Sequence, residues 1–182
     1  MGSVRGIPPT LYVMVGLPAS GKSTRAKEIE EERRALRLTP DEWMIPLFGH
    51  HNADGKRDAL EGRFVWLALQ ALRNGIDVVL DFGVWSKGER TALRSMAAEA
   101  GASCELVYLE IDEQEQCLRR DGRAASDGAT TFFIPDEDLA AYRLAFQPPD
   151  DAELGRGELD PPPTGHASWS AWSSERWPTS TA

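Results

Sequence analysis

The octapeptide Gly16-Leu17-Pro18-Ala19-Ser20-Gly21-Lys22-Ser23 lies between an apolar run, Leu11-Tyr12-Val13-Met14-Val15, and a stretch of helix formers from Lys22 to Arg34. It fills every fixed position of the pattern G-x-x-x-x-G-K-S/T, and the strand before it and helix after it that the pattern needs are both predicted here. Gly16 and Gly21 let the main chain curl so that successive N–H groups turn inward on phosphate oxygens, with Pro18, Ala19 and Ser20 in the bend between them. The following helix adds its positive N-terminal end. Lys22 supplies a mobile ammonium for the β- and γ-phosphates. The Ser23 hydroxyl is a ligand for Mg²⁺, with Thr24 beside it as a second hydroxyl. A glycine-rich turn before a helix with an exposed lysine is the plain alternative, and it does not call for the full pattern in this context. The stretch reads as a nucleoside-triphosphate cradle and leaves the reaction open.

Outward from the cradle, strands alternate with helices. Leu36 to Leu38 is a short second strand, and Thr39-Pro40-Asp41 opens a helix with Thr39 as cap and Pro40 at the first helical position. Gly49 to Lys56 reads as a loop; His50 and His51 are adjacent there with only Asp54 near, so no metal site is read from them. Asp58 to Arg73 is a helix with Leu60, Phe64, Leu67 and Leu72 at helical spacing, ended by Asn74-Gly75. Strand Ile76–Phe82, helix 86–100, strand Glu105–Ile111, helix 112–120 and a last helix 135–146 follow. Arg90 and Arg94, one turn apart, are read as a solvated face. The rhythm predicts an α/β fold, a parallel sheet with helices on both faces.

The chain has 182 residues, enough for one domain of ordinary size, and its 41% hydrophobic and 27% charged content exclude wholesale disorder. No run approaches the roughly 18 apolar residues of a membrane span. No export signal is read at the N-terminus, so the expected compartment is the cytoplasm. Cys104 and Cys117 form no CxxC, which argues against a disulfide framework or a zinc site. The net charge is −9, with acidic residues in excess on both sides of Pro149, and this disfavours nucleic acid as a partner. From residue 150 to 182 the composition becomes that of a Pro/Ser/Trp-rich tail, yet Trp169, Trp172 and Trp177 sit in it. They are expected either to dock on the domain or to meet a partner, a second copy included, with docking favoured by the area that aromatic rings bury.

Lys22, Lys27, Lys56 and Lys87 are the only lysines, and none stands in the N/T-K-x-D context that reads guanine. ATP is therefore the expected nucleotide. Asp41 lies nineteen residues after Lys22, just past the second strand, and Asp81 ends the run Val78-Val79-Leu80. Strand ends in such sheets open on the ligand crevice. Each Asp can also be read as an ordinary helix-end or strand-end residue. Trp43 and Trp85 follow the two carboxylates and are read as walls of an acceptor pocket or as core.

The motif Gly16–Ser23, Asp41 after a short strand, Asp81 closing a hydrophobic strand, and the arginines between Arg119 and Arg123 resemble, in kind and order, the AAA_33-type P-loop kinases. These are relatives of polynucleotide 5′-kinases, zeta toxins and chloramphenicol phosphotransferases. The resemblance spans about residues 10 to 150 and leaves the Trp-rich tail outside. It implies a nucleoside-monophosphate-kinase-like domain over 1–149, with a short lid at about 119–134, and γ-phosphoryl transfer from ATP to a hydroxyl of an unidentified small molecule. On this basis Asp41, Lys22, Arg120 and Arg123 are the expected catalytic residues, Arg119 joins the cradle in holding nucleotide, and Ser23 with Asp81 serves Mg²⁺. Phe132-Phe133 would belong to the moving cover, and residues 146–149 would lie near the base. One departure is that Asp81-Phe82-Gly83-Val84 lacks the Asn of the Asp-x-x-Asn run seen in polynucleotide kinases of the group. Alternatives are a nucleic-acid 5′-OH kinase, or an ATP-binding switch or toxin-like interaction protein whose tail meets a partner.

Overall fold

The computed structural model describes residues 7–50, 53–126, 134–155 and 157–180, without the side chains of 123–126. In chain order the elements are β1 (Thr10–Val15), α1 (Lys22–Arg33), β2 (Leu36–Leu38), α2 (Pro40–Phe48), α3 (Lys56–Arg73), β3 (Val78–Leu80), α4 (Lys87–Glu99), β4 (Ser103–Tyr108), α5 (Glu113–Ser126), α6 (Asp136–Ala145), α7 (Asp151–Leu154) and α8 (Trp169–Arg176). The four strands form one parallel sheet in the order β2-β3-β1-β4.

Alternation along the central strands divides the core. Leu11, Val13 and Val15 join Val78, Leu80 and Leu38 on one face, packed with Phe64, Leu72 and Leu93 of α3 and α4. Tyr12, Met14 and Val79 turn to the other face, against Ala26 and Ile29 of α1. A parallel strand covered on both faces must be apolar throughout, which is why the run before the cradle has no polar alternation. Because β3 leads through α4 to β4 across β1, the strand order reverses beside β1. The loop after β1 therefore opens into the crevice at the carboxyl ends of the strands.

Two strands are shorter or shifted relative to the sequence reading. β3 begins at Val78 because the Ile76 N–H closes back on the Ala71 carbonyl at 3.0 Å as the last turn of α3. β4 pairs with β1 from Ser103 opposite Thr10 to Tyr108 opposite Val15, and it stops where β1 itself turns into the cradle. Arg90 is a correction of a different kind. Its side chain is fully buried and bonds Glu153 through two nitrogens at 2.8 and 3.0 Å, and it also donates to the carbonyls of Trp85 and Gln147. A buried cation is tolerated only when its N–H groups find acceptors, and here they tie α4 to the chain after α6.

The C-terminal segment packs on the same domain. Ser170 bonds Glu99, Ser173 meets Met96, and Arg176 meets Glu89, so α8 lies antiparallel along α4. Trp169 and Trp177 are members of the larger core cluster, with Trp172 packed against it. No helix among the described residues is long and apolar enough to cross a membrane.

Candidate active site

The cradle is built by backbone conformations that only certain residues adopt. Gly16 has φ +151°, and a Cβ there would stand 2.6 Å from the Leu109 carbonyl and 2.7 Å from Ser20 Oγ, so a side chain has no room. Ala19 and Gly21 take φ of 67° and 99°, and the Ser20 N–H turns back to the Leu17 carbonyl at 3.2 Å. Left-handed residues at these points make the concavity of inward amides. α1 starts at Lys22 without a side-chain cap, which leaves its first N–H groups for an anion. Lys22 Nζ donates to the Leu17 carbonyl at 2.8 Å. Thr24 is exposed on the first turn.

α5 crosses the cradle and pins it twice. Gln116 Nε2 donates to the Pro18 carbonyl at 3.1 Å, and an Arg119 guanidinium nitrogen donates to the Ser20 carbonyl at 3.3 Å. Arg119 is thus placed at the cradle. Arg120 points elsewhere, to Asp121, the Ile134 carbonyl and Asp136, so it ties α5 to the start of α6. Its carboxylate partners raise its pKa further above the usual guanidinium value. The Arg123 side chain, and Phe132 and Phe133, lie outside the described residues.

Ser23 Oγ donates to Asp81 Oδ1 at 3.3 Å, joining the cradle to the end of β3. Asp81 is buried, and its Oδ2 accepts no hydrogen bond among the described residues, with an Arg37 nitrogen 3.6 Å away. Burial pushes the Asp81 carboxyl up, and the Ser23 bond, Arg37 and Lys22 counter this in part. A dry carboxylate oxygen without a donor, beside a hydroxyl, fits a hard divalent cation. Asp41, in the first turn of α2, adds a smaller upward push on the Asp81 carboxyl through like charge. Asp41 is 68% exposed and accepts from Arg57 at 2.8 Å. Thr39 precedes it as cap residue but makes no side-chain cap bond, while Pro40 stands in the first turn. Trp43 is partly exposed, edge-on to Phe64, and Trp85 packs on Tyr142.

Beside the cradle, at the end of β4, a cavity of about 300 Å³ is lined by Leu17, Tyr108, Leu109, Glu110, Arg143 and Phe146 among others. The Tyr108 and Phe146 rings lie 6.2 Å apart and nearly parallel. The cavity lining mixes aromatic and aliphatic side chains with the charged Glu110 and Arg143. Arg143 is held at the rim by Gln116 and Glu113. The sequence reading missed Arg37 and Arg57. Arg37 had a faint signal, a charge within the apolar pair of Leu36 and Leu38. Arg57 had none, since its partner Asp41 is sixteen residues away with a loop between.

A family profile described as AAA domain, AAA_33, matches residues 11–149. No curated protein matches in sequence. Among solved structures the chain is similar to one of the Pnkp1/Rnl/Hen1 RNA repair complex, with TM-score 0.65 and 18% identity, covering 91% of this chain and 52% of that one. It therefore spans about half the length of that neighbour. It is also similar to Chaetomium thermophilum Kti12 in complex with ADP-AlF3 (TM-score 0.60, 20% identity, 77% of this chain and 81% of that one). A gluconokinase from Sinorhizobium meliloti 1021 gives TM-score 0.52 and 19% identity over 81% of this chain and 79% of that one. At these identities the likeness is one of fold, a P-loop kinase-like α/β domain.

Proposed function

Because the chain belongs to the AAA_33 family of AAA domains, matched over residues 11–149, we propose that it is an ATP-dependent phosphotransferase acting on a hydroxyl of a small acceptor. The observation that carries this reading is the Ser23–Asp81 pair at the cradle, joining the phosphate loop to a buried carboxylate at the end of β3.

In this reading the inward amides of residues 18–23 and the start of α1 grip the phosphates, and Lys22 exchanges the Leu17 carbonyl for phosphate oxygens. Arg119 adds a second cation from α5. The cavity between Tyr108 and Phe146 receives the base. Ser23, with Asp81 behind it, would hold Mg²⁺, which supplies charge neutralisation on the β- and γ-phosphates. Asp41 holds the acceptor hydroxyl in line with the γ-phosphorus. The acceptor O–P bond forms as the P–O bond to the β-phosphate breaks, and the hydroxyl proton passes to Asp41 and on to solvent. An ordinary carboxylate is a weak base, so orientation is the larger contribution of Asp41. Arg120 and Arg123 are assigned to the lid over the transferring group, a role for which Arg120 must exchange Asp121 and Asp136 for phosphate oxygens.

The test is transfer from γ-labelled ATP to a mixture of hydroxylated metabolites, with wild type beside Asp41→Asn. Label is expected in a small molecule, reduced by about 100-fold or more in the variant, while calorimetry finds ATP affinity unchanged. Chelation of divalent metal should abolish transfer and added Mg²⁺ restore it. ATP binding without transfer to any hydroxyl would overturn the proposal.

A further inference from the structure

Two buried carboxylates on neighbouring helices share one cation. Glu61 on α3 and Glu89 on α4 have side chains only 7% and 9% exposed. Both are reached by a single guanidinium, that of Arg176 on α8, which lies beyond the region matched by the family. Its Nε stands 2.5 Å from Glu89 Oε1 and its Nη2 3.9 Å from Glu61 Oε2.

The second oxygen of each carboxylate is bonded as well, that of Glu89 in the capping box of α4. Glu61 Oε1 accepts from Arg57 Nε at 3.2 Å, and Arg57 Nη1 in turn holds Asp41 Oδ1 at 2.8 Å. Glu89 Oε2 accepts the N–H groups of Trp85 and Ser86, each at 3.0 Å, and so fixes the loop that leaves Asp81. One cation, which also meets Asp58 at 3.4 Å, thus connects to Asp41 through Glu61 and Arg57 and to the loop after Asp81 through Glu89.

The physical need is clear on the Asp41 side. An exposed carboxylate held by a mobile arginine gains little and samples several rotamers. An arginine whose other edge is already fixed by a buried partner loses less entropy when it binds, and it presents a rigid fork. Phosphoryl transfer depends on in-line placement, where an error near 1 Å is costly. The anchor itself is seated firmly: Trp177, next in the chain, is 1% exposed, and Thr179 bonds the Ala59 carbonyl of α3.

We propose that Arg176 is a positioning residue for phosphoryl transfer, orienting Asp41 through Glu61 and Arg57 and steadying the Asp81 loop through Glu89. This rests on the reading of Asp41 as the residue that orients the acceptor. The C-terminal helix is then a working part of the acceptor side rather than an appendage.

The experiment uses the full chain at pH 8 and measures single-turnover transfer of label from γ-labelled ATP to a mixture of sugars and polyols, with water as the default acceptor. Arg176→Gln and Arg57→Gln should each slow transfer by about tenfold with ATP affinity unchanged; in an Asp41→Asn background Arg57→Gln should slow it no further, and Arg176→Gln should keep only the smaller loss that runs through Glu89. Arg176→Lys, which keeps the charge between Glu61 and Glu89, should recover part of the rate. Should Arg176→Gln fail to fold, Glu61→Gln, which cuts the charged link between Arg176 and Arg57, carries the same test. If Asp41→Asn is slow while the arginine variants keep full rate, or add their full losses to it, only this inference falls. If Asp41→Asn transfers as fast as wild type, or wild type transfers to nothing, water included, the underlying reading falls and this inference with it.

Discussion

Burial pushes the Glu61 carboxyl up to about 7, more than Arg57 and Arg176 pull it down. Between the ordinary carboxylate range and about 7, the folded chain therefore holds a proton that the unfolded chain has released. The favourable contribution is full below the unfolded pKa and is lost as pH rises through the folded one, a span worth about 3 kcal/mol. Unfolding free energy should accordingly fall from pH 5 to pH 8. In Glu61→Gln, which mimics the neutral form, this slope should flatten, leaving the variant at least as stable as wild type at pH 8. Denaturant melts of both proteins at the two pH values check this, and parallel slopes would contradict it. The same conflict between burial and partners raises Asp81, where a bound cation would relieve it.

At the scale of elements, the contact between α3 and the chain after α8 depends on Gly62. A Cβ there would stand 3.1 Å from the Thr179 N and 3.2 Å from the Ser180 N, and would collide with Thr179 Oγ1. Gly62→Ala should therefore destabilise by about 1–3 kcal/mol, although alanine is the better helix former by roughly 1 kcal/mol. Thermal melts give the sign, and a gain in stability would contradict the close approach. Elements differ in how far they can be read from sequence. β1, the cradle and the end of β3 were legible because their signals are local: a continuous apolar run, a fixed glycine spacing, an Asp closing a strand. The placement of α8 was not, since its pairs join Arg176 to Glu89 across 87 residues and nothing near Arg176 in sequence marks that partner. Arg90 failed for a related reason. Its helical spacing with Arg94 looked like a surface until Glu153, 63 residues on, proved to cover it.

For the molecule as a whole, charge bears on the acceptor. The chain carries −9, and much of its arginine complement is spent on internal carboxylates such as Glu30, Glu61, Glu89 and Glu153. A protein that neutralises few phosphates binds nucleic acid weakly at physiological salt, with Kd above about 10⁻⁴ M. Fluorescence anisotropy with a single-stranded 5′-OH oligonucleotide should show no saturable binding. Micromolar affinity that collapses steeply with added salt would instead move the acceptor class to nucleic acid.

The burial of Trp177 in the larger core cluster bears on how the chain is made. A polypeptide synthesised from its N-terminus has the four described strands once Tyr108 is added, yet its interior remains unsealed until α8 emerges. A premature stop between residue 149 and α8 would release a chain with its phosphate loop in place and an open flank, a substrate for quality-control proteases.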